Sequence, residues 1–354
     1  MPAHTTRTDH RSRRGRRARR RLARGAAALA AVGLALGCTP ESDDPQTKDA
    51  ALVRGPSKPV GGKSEFWVDP SSPAAQQVAS WRAEGRDSDA EVLRRIADQP
   101  MAAWPAGDDP GPTIKAATRG AAKENRTAVL VAYNIPHRDC GQHSRGGAQS
   151  AEFYRQWIDA FADTIEDSKA LVILEPDAVP HVVDGCTPPE YQEERYQLLS
   201  EAIDRLKKQP NVKVYLDAGH SAWVQDHGKL TQALGKAGID RADGFALNVS
   251  NFQTDAATKA YGKDLSKLLG GKHFVMDTGR NGNGPMAGDG AEAWCNPPGR
   301  ALGNRPGTKT GDPLVDAHLW IKRPGESDGE CRGGPPAGKW WPEYALSLAR
   351  NSKG

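Results

Sequence analysis

At 354 residues the chain has room for one large domain or two small ones. Its formal charge of +4 is concentrated at the start, where Met1–Arg24 carries ten arginines against the single acid Asp9, a surplus of +9 that leaves about −5 for the rest. Nucleic-acid binding is thereby excluded, because no basic surface remains once that head is set aside.

After the basic head comes an apolar run, Gly25 to Leu36, then Gly37 and Cys38. A basic head, a short apolar stretch and a small residue before a cysteine make an export signal. Twelve apolar residues fall short of the roughly 20 needed to span a bilayer. Leu34-Ala35-Leu36-Gly37-Cys38 resembles a bacterial lipoprotein cleavage site, although Ala35 stands where leucine is usual. The expectation is an export signal over 1–38, with Cys38 acylated as the only membrane contact and the chain at the cell surface or secreted. Residues 39–62, rich in Pro, Gly, Ser, Asp and Lys, read as a flexible tether. Residues 63–354 read as one globular domain, expected to be monomeric.

Within that domain short apolar or β-branched runs alternate with longer helical patterns. The runs are Met101–Trp104, Val129–Tyr133, Leu171–Leu174, Val212–Leu216, Gly244–Val249, His273–Met276 and Ala317–Ile321. Between them, Phe153, Trp157, Ile158 and Phe161 mark one face of a helix over 151–166, with Asp159 and Asp163 off that face. Alternation of this kind predicts a parallel sheet covered on both faces. About seven units in this length predict an α/β fold, a closed or partly open parallel barrel of about seven strands rather than an open doubly wound sheet. No glycine-rich dinucleotide loop follows the first strand. Four cysteines lie in the domain, Cys140, Cys186, Cys295 and Cys331. Three pairings are open, and disulfides suit an exported chain better than zinc, whose close ligand spacings are missing.

Barrel active sites gather where strands end at their carboxyl edge. That edge reads Asp139, then Glu175 and Asp177, Asp217 with His220, Asn248 and Asn251, Asp277 with Arg280 and Asn281, and finally Lys322, Glu326 and Asp328. One strand-end aspartate is usually a cap or a turn former. Acids after five of the six later strands need another explanation. A metal site would want several histidines converging with the acids, whereas glycoside hydrolysis needs two carboxyls, one of them kept protonated near neutral pH. Trp104, Tyr133, Trp223, Trp294 and Trp320 sit near the same edge as possible sugar platforms; Trp320, inside an apolar run, reads as core.

Six segments then resemble cellulases of glycoside hydrolase family 6, in the family's order from Trp104 to Asp328. They are Tyr133–Gly141, Leu174–Asp177, Leu216–Trp223, Asn248–Phe252, Asp277–Pro285 and Trp320–Gly329. The resemblance implies a distorted α/β barrel that inverts at the anomeric carbon, with no metal or cofactor and a β-glucan as substrate. It implies Asp177 as general acid, Asp139 as the aspartate that influences the acid's proton and helps deliver water, and Asp217 as a like charge raising the acid's pKa. Asp328 matches the proposed base or sugar ligand of the cleavage subsite, and Tyr133 a tyrosine that favours a distorted ring. His220, Trp223, Arg300, Lys322 and Glu326 match substrate-contacting positions, which Trp104, Asn251 and Trp294 join as strand-end candidates. Disulfides Cys140–Cys186 and Cys295–Cys331 are implied as well.

One position departs from the pattern. Six residues after Asp139 the family usually carries a serine, where this chain has Arg145 preceded by Ser144. Either Ser144 substitutes or the attacking water is held differently, and an arginine meeting Asp139 would lower its pKa. The short segment from Asp328 to Cys331 and the last helix predicts an open cleft and endo action. The alternative from another class is a surface lipoprotein that binds glucan without cutting it.

Overall fold

The computed structural model describes residues 64–288 and 292–353. The expected export signal, Cys38 and the tether lie outside the described residues. Six parallel strands form one sheet in sequential order: β1 (Ala128–Ala132), β2 (Ala170–Leu174), β3 (Val212–Asp217), β4 (Gly244–Leu247), β5 (His273–Asp277) and β6 (Val315–Leu319). Helices cross between successive strands up to β5. These are α4 (Ala151–Ile165), the short α5 (Pro180–Val183) with α6 (Pro189–Leu206), α7 (His227–Lys236) and α8 (Asp255–Leu268). Before β1 come α1 (Pro73–Ala83), α2 (Asp87–Ala97) and α3 (Gly111–Lys123), and α9 (Pro342–Asn351) closes the chain.

The strands read as nearly unbroken apolar runs because both faces are covered. Alternate residues divide between two cores, as the strand period of two requires. Leu130, Val172, Leu174, Val214, Leu216, Phe245 and Phe274 pack under the helices. Val129, Val131, Leu171, Ile173, Tyr215, Ala246, Val275, Ala317 and Leu319 face the other way and form a second core, on which Trp104 and Tyr133 rest. In α4, Trp157, Ile158 and Phe161 are buried as expected, and Ser150 caps the helix by accepting the Phe153 N–H at 3.1 Å.

The expected seventh strand, Met101–Trp104, is not a strand. Prolines at 100 and 105 flank it, so only Ala103 pairs, as an isolated parallel bridge to Leu130. The segment still has a structural role. The Ala102 N–H donates to Trp320 O at 3.0 Å just past β6, and the Ala103 N–H donates to Val129 O at 2.9 Å on β1. Because one dipeptide reaches both edge strands, the sheet curls into a half-barrel of six strands, not a barrel of seven. Trp320 is core: it is buried among Trp81, Leu93 and Leu348 of the α1–α2–α9 layer.

Candidate active site

A cleft of about 580 Å³ opens at the carboxyl edge of the sheet. Of the expected site residues, Trp104, Tyr133, Asp139, Asp177, His220, Trp223, Asn251, Trp294, Lys322 and Asp328 line it. Asp217 lies beneath the floor. Arg300 and Glu326 are not brought to the cleft. The Arg300 guanidinium bonds the backbone carbonyls of Gly284 and Pro298, and Glu326 is buried against Arg323. The sequence could not tell these partners from a sugar.

The loops that carry the acids are held in unusual conformations. His137, Asp139 and Cys140 after β1, Glu175 and Asp177 after β2, and Asn248 and Ser250 after β4 all have φ between 45° and 70°. Each such residue costs about 1–3 kcal/mol and persists only where its surroundings over-determine it. Glu175 supplies some of that constraint. Its fully buried carboxylate accepts the N–H groups of Asn134 and Ile135 at 2.9–3.0 Å, tying the loop after β1 to the loop after β2. Burial, opposed by these two donors, pushes Glu175 up to about 7.

Asp177 stands on that clamp. Its main-chain N–H donates to Asp217 Oδ2 at 2.9 Å, and Gly219 N–H donates to the same oxygen at 3.2 Å. Burial raises Asp177 to about 6; the His181 imidazole opposes this, while Asp139 and Asp184 add to it. Burial and the neighbouring Asp177 hold Asp217 well above the usual carboxylate range. Burial leads in lifting both carboxyls, the two like charges act on each other, and Asp217 also holds the Asp177 backbone.

Asp139 is raised chiefly by burial, against the Ser144 N–H that donates to Oδ2 at 2.5 Å and the charges of His181, His143 and Arg138. Arg145 is exposed and is not among the charges acting on Asp139, whereas Ser144 lines the cleft. The contact to Asp139 at this corner comes from the Ser144 main chain and not from Arg145.

Opposite, Asp328 is buried and clamped. Arg280 Nη1 donates to Oδ2 at 2.8 Å, Asn296 N–H at 3.0 Å, and Lys322 Nζ lies 3.8 Å from Oδ1. The Asn296 side chain in turn accepts the Asp328 N–H at 2.8 Å. Trp104 and Tyr133 meet edge to face, with centroids 5.6 Å apart, and the Trp104 Nε1–H donates to Ile321 O. His220 is lowered to about 4 by burial and pairs through Nε2 with the Asn251 amide at 3.0 Å. The amide donates there, so the imidazole is neutral and carries its proton on Nδ1.

Among the cleft residues that escaped the sequence reading are the ionisable His181 and Asp184. They lie on and just after the four-residue α5, away from any strand end. Asn296 escaped for a similar reason, since it sits mid-loop beside Cys295. Disulfides join Cys140 to Cys186 and Cys295 to Cys331, with Cα–Cα distances of 6.0 and 6.3 Å. The first bridge adjoins Asp139; the second brackets Asn296 and Asp328.

A family model described as glycosyl hydrolases family 6 matches residues 62–352. Endoglucanase A of Cellulomonas fimi is 43% identical over 294 residues, covering 82% of this chain but only 62% of that protein. Endoglucanase 1 of Streptomyces halstedii is 39% identical over 334 residues, 91% of this chain and 96% of the relative. The solved structure of the endoglucanase Cel6 from Mycobacterium tuberculosis, in complex with a methyl-cellobiosyl-4-deoxy-4-thio-β-D-cellobioside, superposes with a TM-score of 0.74 at 43% identity. It covers 83% of this chain and 98% of its own.

Proposed function

This chain belongs to glycosyl hydrolase family 6, and from that premise we propose that it hydrolyses internal β-1,4-glucosidic bonds of cellulose or a related glucan, with inversion. The observation that carries the reading is the carboxyl of Asp177, raised to about 6 in a cleft walled by Trp104, Trp223 and Trp294. A carboxylic acid in that range stays protonated in mildly acidic water and can pass its proton to a glycosidic oxygen. The cellobioside-derived ligand of the Mycobacterium tuberculosis relative supports a glucan substrate.

In this reading Asp177 protonates the leaving oxygen while water attacks the opposite face of the sugar ring. Asp139 and Ser144 orient that water. A carboxylate oxygen of Asp139 lies within 4.8 Å of one of Asp177, closer than the roughly 6.5–9.5 Å that separates acid from base in inverting sites. Asp139 therefore cannot be the group across the ring. Asp328 faces the same cleft, where Arg280 and Asn296 fix Oδ2 and Lys322 Nζ lies 3.8 Å from Oδ1, an anchored carboxyl suited to holding sugar hydroxyls. The short connection between Asp328 and Cys331 leaves the cleft unroofed at that side, which supports endo action.

The two disulfides support an exported enzyme. Acylation of Cys38 and a monomeric state belong to the same proposal. Cys38→Ala should release the protein from the membrane fraction, and an unchanged distribution would remove the anchor. For the activity, purified protein should release reducing ends from carboxymethylcellulose, with viscosity falling early, and Asp177→Ala should not. Nuclear magnetic resonance of a cello-oligosaccharide digest should show the α-anomer first. A β-anomer would overturn inversion.

A further inference from the structure

His181 is a titratable cleft group that the hydrolytic reading leaves without a task. It is 7% exposed, and its main-chain N–H donates to Asp177 O at 2.9 Å, one helical turn above the acid. Its Nδ1 lies 3.4 Å from Asp184 Oδ2, and Asp184 is itself fixed by the Trp223 Nε1–H and the Cys186 N–H, each at 2.9 Å. Trp223 also stands edge-on to the imidazole, with centroids 4.8 Å apart. Nε2 has no hydrogen-bond partner among the described residues. A ring nitrogen of His181 and carboxylate oxygens of Asp139 and Asp177 all lie within 4.8 Å of one another, on the wall of the open cleft.

A histidine whose second nitrogen faces a fixed carboxylate is the arrangement that orients metal-ligating imidazoles. We propose that Asp139, Asp177 and His181 form a site for a borderline divalent metal ion of the zinc class, and that its occupancy shuts hydrolysis off. Ligand atoms around a tetrahedral zinc stand about 3.3 Å apart, a small rotamer adjustment from the separations here. The Cys140–Cys186 bridge ties the residue after Asp139 to the segment after α5, so the donors come from two loops already joined. Magnesium and calcium, which prefer all-oxygen shells of six or more ligands, do not suit a set containing an imidazole. On binding, the metal–carboxylate bond to Asp177 replaces the O–H bond and the proton goes to solvent, so the carboxyl has no proton to give. Water completes the coordination. The inhibition rests on the reading of Asp177 as acid; the binding does not.

Calorimetric titration of the oxidised protein with zinc chloride, in chelator-free buffer, should show one zinc ion per chain and no comparable binding of magnesium. Hydrolysis of carboxymethylcellulose should fall with occupancy and return on adding a chelator. His181→Asn should weaken zinc binding about 100-fold, and Asp184→Asn, which alters the orienting carboxylate without removing a proposed ligand, about 10-fold. Far-ultraviolet circular dichroism checks the folding of both variants, and Asp184→Asn decides the matter if His181→Asn does not fold. Absence of zinc binding, equal binding in folded variants, or equally tight magnesium would overturn the site. A parent protein that binds zinc but never cleaves glucan would instead overturn the functional reading and leave the site standing.

Discussion

Glu175 and Asp177 lie two residues apart at the end of β2, both with positive φ and both lifted by burial. Their tasks differ because their surroundings differ: Glu175 is buried against the backbone of the loop after β1, whereas Asp177 meets the cleft. Asp177→Asn keeps the shape and removes the transferable proton. Its kcat should fall about 10²–10⁴-fold with KM little changed, read from reducing-end assays. Activity of the parent should decline as pH rises through about 6, where Asp177 ionises. Glu175 makes a separate prediction about stability. Its folded-state value of about 7 exceeds the usual 4.5, so between those values the native state holds a proton that the unfolded chain has lost. That contribution is fully present below about 4.5 and lost as pH rises through 7. In urea unfolding at pH 5 and pH 8, the parent should lose on the order of 2 kcal/mol more than Glu175→Gln does. Equal losses would show that Glu175 is ionised in the folded state throughout.

Among the elements, strand ends were legible in the sequence and loop interiors were not. The acids after β2, β3 and β5 stood out because apolar runs stop abruptly at them. His181 and Asp184 gave no such signal, since α5 has four residues and no periodicity to read. Met101–Trp104 misled for the opposite reason: apolar content is visible in a sequence, but the hydrogen-bond partners that would make a ladder are not. The backbone partners of Arg300 were hidden on the same ground, because a guanidinium bonded to Gly284 and Pro298 looks no different in a sequence from one awaiting a sugar. Packing between elements supplies its own test. A Cβ on Gly244 would stand 2.2 Å from His273 O, where β4 runs against β5. Gly244→Ala must therefore push these strands apart, and its urea midpoint should fall, by about 1–3 kcal/mol in stability.

At the scale of the whole molecule, the curl of the sheet depends on the dipeptide Ala102–Ala103, which bonds to the strands at both edges. Trp104 follows directly and is anchored to Ile321 O, so closure and the sugar platform are mechanically linked. Ala103→Pro deletes the donor to Val129 O. KM for cello-oligosaccharides should rise while the pH dependence of kcat stays that of the parent, since Asp177 follows β2, which the dipeptide does not touch; a moved pH profile would refute this separation. The α1–α2–α9 layer belongs to the same scale. It buries Trp320 and brings the two ends of the described chain together, so loss of α9 would uncover the flank of β6.

The order of the cysteines along the chain carries a consequence for biosynthesis. The bridges join first to second and third to fourth, enclosing separations of 46 and 36 residues without crossing. A chain emerging N-terminus first presents Cys140 and Cys186 before Cys295 appears, so oxidation in order of arrival gives the native pairs with no reshuffling. The thiol able to spoil that order is Cys38, which arrives ahead of all four. If it is acylated, the modification that tethers the protein also removes the competitor from the oxidation of its active-site loops.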